Sequence, residues 1–184
     1  MHKVAVIVGS LRRESINRRF ARALAKLAEG SLAFEFVDLA GLPIYNEDLW
    51  QSPPAAVLEL KQLIEAADAV LFVTPEYNRS IPALVKNVID WGSRPYGKSS
   101  WVGKPAGIVG TSNGAIGTAV AQSHLRHVVA ACGMVLLPLP EVYFVNKPGL
   151  VTDDFEVSDE KSRAFVAGYV AKFAAWIEQH AKQG

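Results

Sequence analysis

Near the amino terminus, a loop of polar residues connects an apolar run to an amphipathic helical pattern. The run is Val4–Val8 and the loop is Gly9–Asn17. A strand that enters a helix through such a loop directs unpaired backbone N–H groups, and the positive end of the helix dipole, at one point. Hydroxyls of Ser10 and Ser15 and the planar guanidinium of Arg12 add donors that match phosphate oxygens. We therefore predict that this loop binds a phosphate monoester.

A second polar loop follows another fully apolar run, Ala69–Val73. In this loop, Thr74–Pro82, the proline at position 75 fixes the backbone and is predicted to leave the N–H groups of the next three residues free to face a flat ligand. Tyr77 offers a stacking surface, and Asn78 offers both hydrogen-bond donors and acceptors. Together, the two loops predict a ligand with a terminal phosphate and a flat ring.

Apolar runs and helical patterns alternate along the chain, and this alternation positions the two loops. Strands are predicted at Val4–Val8, Leu32–Leu39, Ala69–Val73, Ala106–Val109 and Met134–Leu137. Five helices are predicted: one that starts near Arg18, one at Ala55–Ala67, one from Ile81 to Trp91, one that ends at about Ala131, and one from a Ser158 cap to about His180. Ser80 is the predicted N-cap of the third helix. The pattern predicts an α/β fold with a doubly wound parallel sheet, helices on both faces and one domain, residues 1–184. Ligands of such sheets bind at the carboxyl ends of the strands. No pattern is assignable to residues 141–157.

Composition excludes several classes of protein. The 184 residues carry 19 Lys and Arg against 18 Asp and Glu, and no clustered basic face suits a nucleic acid. The longest uncharged apolar run, Val128–Pro140, is too short to cross a bilayer, and an apolar strand starts too early for a signal peptide. Cys132 has no internal disulfide partner, and His124 and His127 lack a third metal ligand. We expect a cytoplasmic protein without metal, membrane or nucleic-acid partners.

Two further motifs match patterns of nucleotide-binding and hydrolytic enzymes. Gly92–Ser99 fits the P-loop expression, but a helix precedes it and no helix is predicted directly after it, so we interpret it as a chance match. Gly110–Gly114 fits the nucleophile elbow between a strand and a helix, which keeps a serine hydrolase using Ser112 as a weaker alternative. Such an enzyme needs a later histidine, and only His180, at the end of the last helix, follows.

Three motifs carry a resemblance to a known family. They are Gly9-Ser10-Leu11-Arg12-x-x-Ser15-x-Asn17, Pro75-Glu76-Tyr77-Asn78 and Leu84-Val85-Lys86-Asn87-Val88-Ile89-Asp90-Trp91. In this order they resemble the signatures of the NADPH-dependent FMN reductase family, above all its chromate- and quinone-reducing branch with its azoreductase-like members. The resemblance extends to about Glu141. It implies a flavodoxin-like five-stranded sheet in the order 2-1-3-4-5, non-covalent FMN, and a homodimer or homotetramer.

The resemblance also implies which residues bind the cofactor. The phosphate would contact Ser10, Arg12, Ser15, Ile16 and Asn17; the isoalloxazine ring would lie against Pro75, Glu76, Tyr77 and Asn78; and its other edge would border Ser112 and Gly114. Ser112 thereby has a flavin-binding role instead of a nucleophilic one. Where relatives vary, this chain has Arg79, which we expect to contact an anionic substrate or the flavin.

The reaction follows from the same resemblance. NADH or NADPH would deliver hydride to FMN and leave, and a quinone, or another small acceptor such as chromate or an azo compound, would then take two electrons in a ping-pong sequence. No side chain is expected to act as an essential acid or base. The alternative is a flavodoxin-type electron carrier. Such carriers tend to be strongly acidic, whereas basic residues slightly outnumber acidic ones here.

Overall fold

The computed structural model describes residues 1–180, in which strands and helices alternate. The elements are β1 (His2–Val8), α1 (Ile16–Leu27), β2 (Leu32–Phe36), a 3-10 helix (Glu47–Gln51), α2 (Ala55–Ala66), β3 (Ala69–Val73), α3 (Ala83–Gly92), β4 (Pro105–Ser112), α4 (Ala119–Ala131), β5 (Val135–Leu136), β6 (Val142–Val145) and α5 (Glu160–His180). Within residues 1–180, no helix has the length and apolar character needed to cross a membrane.

The strands form one parallel sheet in the order β2-β1-β3-β4-β5, with β6 also paired to β4. The predicted flavodoxin-like order is therefore confirmed. Val8 at the end of β1 pairs with Val73 at the end of β3, which pairs with Val109 of β4. Because these three positions adjoin, the loops after β1, β3 and β4 leave the sheet side by side.

Apolar side chains cover both faces of the sheet. One core packs α1 and α5 against it around Phe20, Leu24 and Phe173, and the other packs α2, α3 and α4 around Ile64 and Trp91. β3 is buried along its whole length. Strands covered on both faces need no polar alternation, which explains the apolar runs in the sequence.

The edge beside β4 differs from the prediction of a single fifth strand at Met134–Leu137. β5 has only two residues, and β6 continues the same edge by pairing with the second half of β4. Pro138 and Pro140 between them have no N–H to donate, so they interrupt the ladder. β6 lies in the segment that had no assignable pattern. Its pairing extends β4 to Ser112 instead of Val109.

Two helices begin without the serine caps that the sequence predicts. Pro82 precedes α3, and Ser80 instead belongs to the turn before it. At the start of α5, a carboxylate oxygen of Asp159 accepts the Ser162 N–H at 2.8 Å, so Asp159 replaces Ser158 as the capping side chain. Both differences leave the predicted order of elements unchanged.

Candidate active site

The loops after β1 and β3 are in direct contact. The Gly9 N–H donates to the Val73 carbonyl at 2.9 Å. A Cβ atom at Gly9 would come within 2.6 Å of Val85 Cγ2 and 3.0 Å of Pro75 Cδ. This approach requires glycine, and Pro75 is itself buried by it. The two loops that the sequence predicts to share a ligand therefore meet at the sheet edge.

The start of α1 presents backbone donors at this edge. Ser15 is the N-cap, and its Oγ accepts the Arg18 N–H at 3.2 Å. Within residues 1–180, the N–H groups from Arg13 to Asn17 have no hydrogen-bond acceptor. Unpaired N–H groups at the positive end of a helix dipole form an anion site.

Two predicted phosphate side chains lie beside these donors. Ser10 is buried, and its Oγ is 3.4 Å from the Arg12 backbone N. The Arg12 side chain is exposed, and its guanidinium has no partner within the described part of the chain. It is therefore available for an anion.

Asn17 has a different position from the one a phosphate contact by its side chain requires. The side chain is buried, with Nδ2 donating to the Thr111 carbonyl at 2.9 Å and Oδ1 accepting the Thr111 N–H at 3.0 Å. This amide joins the start of α1 to the end of β4. The hydroxyl of Thr111, buried next to it, has no partner among residues 1–180. What Asn17 leaves open toward a ligand is its backbone N–H.

The tip of the loop after β3 is a tight turn. The Tyr77 N–H donates to the Ser80 carbonyl at 3.1 Å, and the Ser80 N–H donates back to Tyr77 at 3.0 Å. Asn78 and Arg79 between them both have positive φ, 51° and 62°, as in a type I′ turn. The prediction of a free Tyr77 N–H is therefore wrong. The N–H groups of Glu76 and Asn78 have no acceptor in the described chain and remain open.

The Glu76 side chain anchors this loop to α4. One carboxylate oxygen accepts the N–H groups of Val120 and Ala121 at 3.0 and 3.1 Å, and the other accepts Arg79 Nη1 at 3.0 Å. A buried carboxylate at a helix N-terminus is stabilised by hydrogen bonds and by the helix dipole. Only the backbone of Glu76 is therefore left to contact a ring.

Ser112 organises the loop after β4. Its hydroxyl donates to the Gly117 carbonyl through a short hydrogen bond and lies 3.3 Å from the Gly114 N–H, which it accepts. The two histidines that the hydrolase alternative would call on bond elsewhere: His124 to the Ser80 hydroxyl at 3.1 Å, and His180 to the Trp176 carbonyl. This geometry gives a serine hydrolase no base at Ser112.

The loops after β3 and β4 enclose an open cleft of about 460 Å³. Its lining consists of Glu76, Asn78, Arg79, Ser112, Gly114, Ala115, Ile116 and Gly117. Ile116 in the lining and Tyr77, which lies between the lining residues Glu76 and Asn78 in sequence, are each about half exposed, so apolar surface accompanies the backbone donors. The phosphate-loop residues do not line this cleft, but Gly9 and Pro75 join them to it.

The P-loop match lies at the other end of the strands, before the chain enters β4. Gly92 ends α3, and the chain passes from there into β4 at Pro105 without the helix that a P-loop requires. Lys61 Nζ donates to the Lys98 carbonyl at 2.9 Å and fixes this connection. The segment has none of the architecture of a nucleotide site.

Comparison with known proteins decides the family. Residues 2–149 match the family described as NADPH-dependent FMN reductase. This chain belongs to that family. The predicted enzyme class is therefore confirmed: the protein is an oxidoreductase with FMN as its cofactor and NAD(P)H as its electron donor.

Relatives in the family cover almost the whole chain. A 2-hydroxy-1,4-benzoquinone reductase from Burkholderia sp is 48% identical over 95% of this chain and 96% of its own. A quinone reductase from Pseudomonas putida is 46% identical over 97% of this chain and 96% of its own. The fold matches FerB, a flavoenzyme NAD(P)H:(acceptor) oxidoreductase from Paracoccus denitrificans, with a TM-score of 0.97, 48% identity, and coverage of 98% and 100%.

The residues present fit FMN. Open N–H groups at the start of α1 suit its phosphate, and those of Glu76 and Asn78 suit the polar edge of its ring. The unpartnered Thr111 hydroxyl is a further polar group that a bound molecule can satisfy. These donors match a molecule with one phosphate and one flat, hydrogen-bonding ring.

One residue that supports the site was missed by sequence reasoning. Asn146, just after β6, donates its N–H to the Ser112 carbonyl at 2.8 Å and its side-chain amide to Asn113 Oδ1 at 2.9 Å. It thereby fixes the loop after β4. Its segment showed no periodicity, so the only available signal was an asparagine after a short apolar run.

Proposed function

We propose that this protein is a quinone reductase, which uses NAD(P)H and FMN to reduce quinones by two electrons in a ping-pong sequence. The observation that carries the proposal is the 46–48% identity, over almost the whole chain, to relatives named for that reaction. The open cleft beside the phosphate loop supports it, because such a cleft admits a donor and an acceptor in turn. The net charge of +1 argues against the alternative of a flavodoxin-type carrier, because such carriers tend to be strongly acidic.

The proposal gives each loop a part in holding FMN. We assign the phosphate to Ser10, Arg12, Ser15 and the N–H groups of Ile16 and Asn17; the ring to Pro75, Tyr77, Asn78 and the backbone of Glu76; its other edge to Ser112 and Gly114; and the open side of the cleft to Arg79. We assign no metal and no catalytic side chain.

When bound, FMN would supply the redox chemistry, the transfer of hydride from NAD(P)H and of two electrons to the acceptor. The part of the chain itself is to position the cofactor and to polarise its ring. The open N–H groups of Glu76 and Asn78 are fixed donors at the cleft, and fixed donors stabilise negative charge without reorganising. The Tyr77–Ser80 turn and the bonds of the Glu76 carboxylate to α4 hold these two N–H groups in place before any ligand binds.

The decisive experiment measures flavin content and turnover together. The purified protein should be yellow, release FMN on denaturation, and oxidise NAD(P)H steadily with 1,4-benzoquinone and no partner protein. A colourless protein that FMN cannot reconstitute would contradict the proposal. Oxidation that requires an added carrier protein would favour the flavodoxin-type alternative. The ratio of rates with NADH and NADPH gives the donor preference.

Further acceptors and the assembly belong to the same proposal. We propose that the cleft also accepts chromate and azo compounds, because it is open and several of its lining residues have small side chains or none. We propose a cytoplasmic homodimer or homotetramer formed by a single domain, residues 1–184, of which 181–184 lie outside the described residues. The α3 stripe is buried in its own core, so subunit contacts would use exposed apolar residues such as Tyr96, Val102 and Leu139. A stable monomer in light scattering would contradict the oligomer.

A further inference from the structure

Arg79 occupies a backbone position that favours glycine. It is the second central residue of the Tyr77–Ser80 turn, with φ of 62°, where a type I′ turn prefers the pair Asn-Gly. This chain has Asn78 followed by arginine. A side chain in the left-handed region costs conformational energy that glycine would avoid. A strained residue at the rim of a ligand cleft indicates that its side chain is used.

The guanidinium of Arg79 is oriented but not saturated. Glu76 Oε1 accepts one of its N–H groups at 3.0 Å, while the other Glu76 oxygen is held by two backbone N–H groups of α4. The Arg79 side chain is 65% exposed, and its other donors have no acceptor within residues 1–180. Glu76 therefore fixes the direction of the guanidinium and leaves most of its planar fork open.

The charges around the cleft favour an anion. Glu76 is the only carboxylate among the lining residues, and its side chain is 7% exposed, with its charge met by Arg79 and the start of α4. The positive end of the α4 dipole lies at the same point. An anion in the cleft would therefore meet open donors of Arg79 and a compensated carboxylate.

We propose that Arg79 selects quinones that carry a negative charge, in particular those with an ionised hydroxyl next to a ring carbonyl. The two adjacent oxygens of such a quinone match the planar fork of a guanidinium, as the two oxygens of a carboxylate do. A neutral 1,4-quinone offers no such pair, because its two carbonyl oxygens lie on opposite sides of the ring and neither is charged. This inference rests on the proposed quinone reductase function and adds the class of acceptor.

The test compares two quinones that differ by one charged group. With FMN-loaded enzyme and saturating NAD(P)H, kcat/KM is measured for ionised 2-hydroxy-1,4-naphthoquinone and for neutral 1,4-naphthoquinone. Arg79→Gln should lower the ratio of the two values about tenfold, the loss expected for one exposed charge-assisted hydrogen bond. Arg79→Lys should retain part of the ratio, because the charge remains and the fork is lost. Arg163→Gln, which removes an exposed arginine outside the cleft lining, should leave the ratio unchanged.

A second measurement separates binding from turnover. Calorimetry on the oxidised, FMN-loaded protein without NAD(P)H gives the Kd of the ionised quinone, which should rise about tenfold in Arg79→Gln. Arg79→Gly provides a fold control: relief of the strained turn offsets the lost ion pair with Glu76, so the unfolding midpoint should change little.

An unchanged ratio and Kd would overturn the inference. An equal fall for both quinones would also overturn it, since that result assigns Arg79 to the loop and not to the acceptor. Wild-type enzyme that reduces neither quinone would refute the proposed function instead, and a Kd unaffected by Arg79→Gln would then refute the anion site separately.

Discussion

In the loop after β1, the N–H groups at the start of α1 and the Arg12 guanidinium have no partners within residues 1–180. In the loop after β3, the Glu76 carboxylate, the Tyr77 N–H and the Ser80 hydroxyl are all engaged inside the protein. The first loop therefore leaves its donors open, as the proposed phosphate site requires, whereas contacts within the protein hold the second loop in place. Residues proposed to bind the cofactor thus differ from residues that position a loop.

Replacing Glu76 should have the largest effect, because it removes a positioning group. Glu76→Ala leaves two N–H groups of α4 and the Arg79 guanidinium without their acceptor, and should lower the free energy of unfolding by about 3 kcal/mol. Chemical denaturation of the apoprotein measures this. Glu76→Gln, which keeps a neutral acceptor, should lose about half as much. If Glu76→Ala left the stability unchanged and weakened FMN binding, Glu76 would be a binding residue. That result would contradict the positioning role assigned to it here.

Replacing Arg12 should give the opposite result. Arg12→Ala should weaken FMN binding by about 1.5–3 kcal/mol, the contribution of one charge-assisted hydrogen bond, and leave the stability of the apoprotein unchanged. Fluorescence titration with FMN measures the affinity. Arg13→Ala removes the same charge one residue along the exposed loop and is the matched control. Equal losses from both variants would mean that only the general positive charge matters.

Ser112→Ala should lower stability less than Glu76→Ala does, because Ser112 both positions its loop and is proposed to border the cofactor. It removes the hydrogen bond to the Gly117 carbonyl and leaves the loop after β4 less ordered, so we expect a loss of about 1 kcal/mol in unfolding free energy. The same preparation also tests the hydrolase alternative. Esterase activity in the wild type that disappears in this variant would contradict the positioning role.

The smallest expected effect concerns the outer side of α1. A hydrogen bond from Lys26, at 3.0 Å, lowers the pKa of Glu156 and raises that of Lys26. The depressed pKa of Glu156 means that its contribution to stability exists above the pKa of the unfolded state and is lost as the pH falls through the folded value. The stability gap between wild type and Glu156→Gln should therefore close between pH 7 and strongly acid solution, and added salt should narrow it. A stability gap that does not change with pH would show that this ion pair does not contribute to stability.

The sequence was sufficient for features that depend on local chemistry. Apolar runs and helical stripes predicted the alternating elements, and the polar loop from Gly9 to Asn17 predicted the open N–H groups found at the start of α1. Features that depend on distant partners were missed. The Glu76 carboxylate meets α4 more than forty residues away, and β6 needs the end of β4 as its template.

Errors at single residues have the same cause. Ser80 satisfies the local rule for an N-cap, but its backbone closes a turn with Tyr77 and its hydroxyl meets His124 on another helix. The side chain of Asn17 suits a phosphate by type, but the nearby end of β4 offers it two backbone groups at once. Where a polar residue has both a local and a distant partner, its sequence neighbours alone do not decide between them.

The amide of Asn17 bonds both backbone groups of Thr111, as a neighbouring strand would, and so adds one more rung to the edge of the sheet. This rung lies before the loop at residues 113–118, not within it. For protein engineering, the expected consequence is modularity: changes at the exposed Ala115 and Ile116 of that loop should alter which acceptors enter, while the proposed phosphate site keeps its own attachment to the sheet.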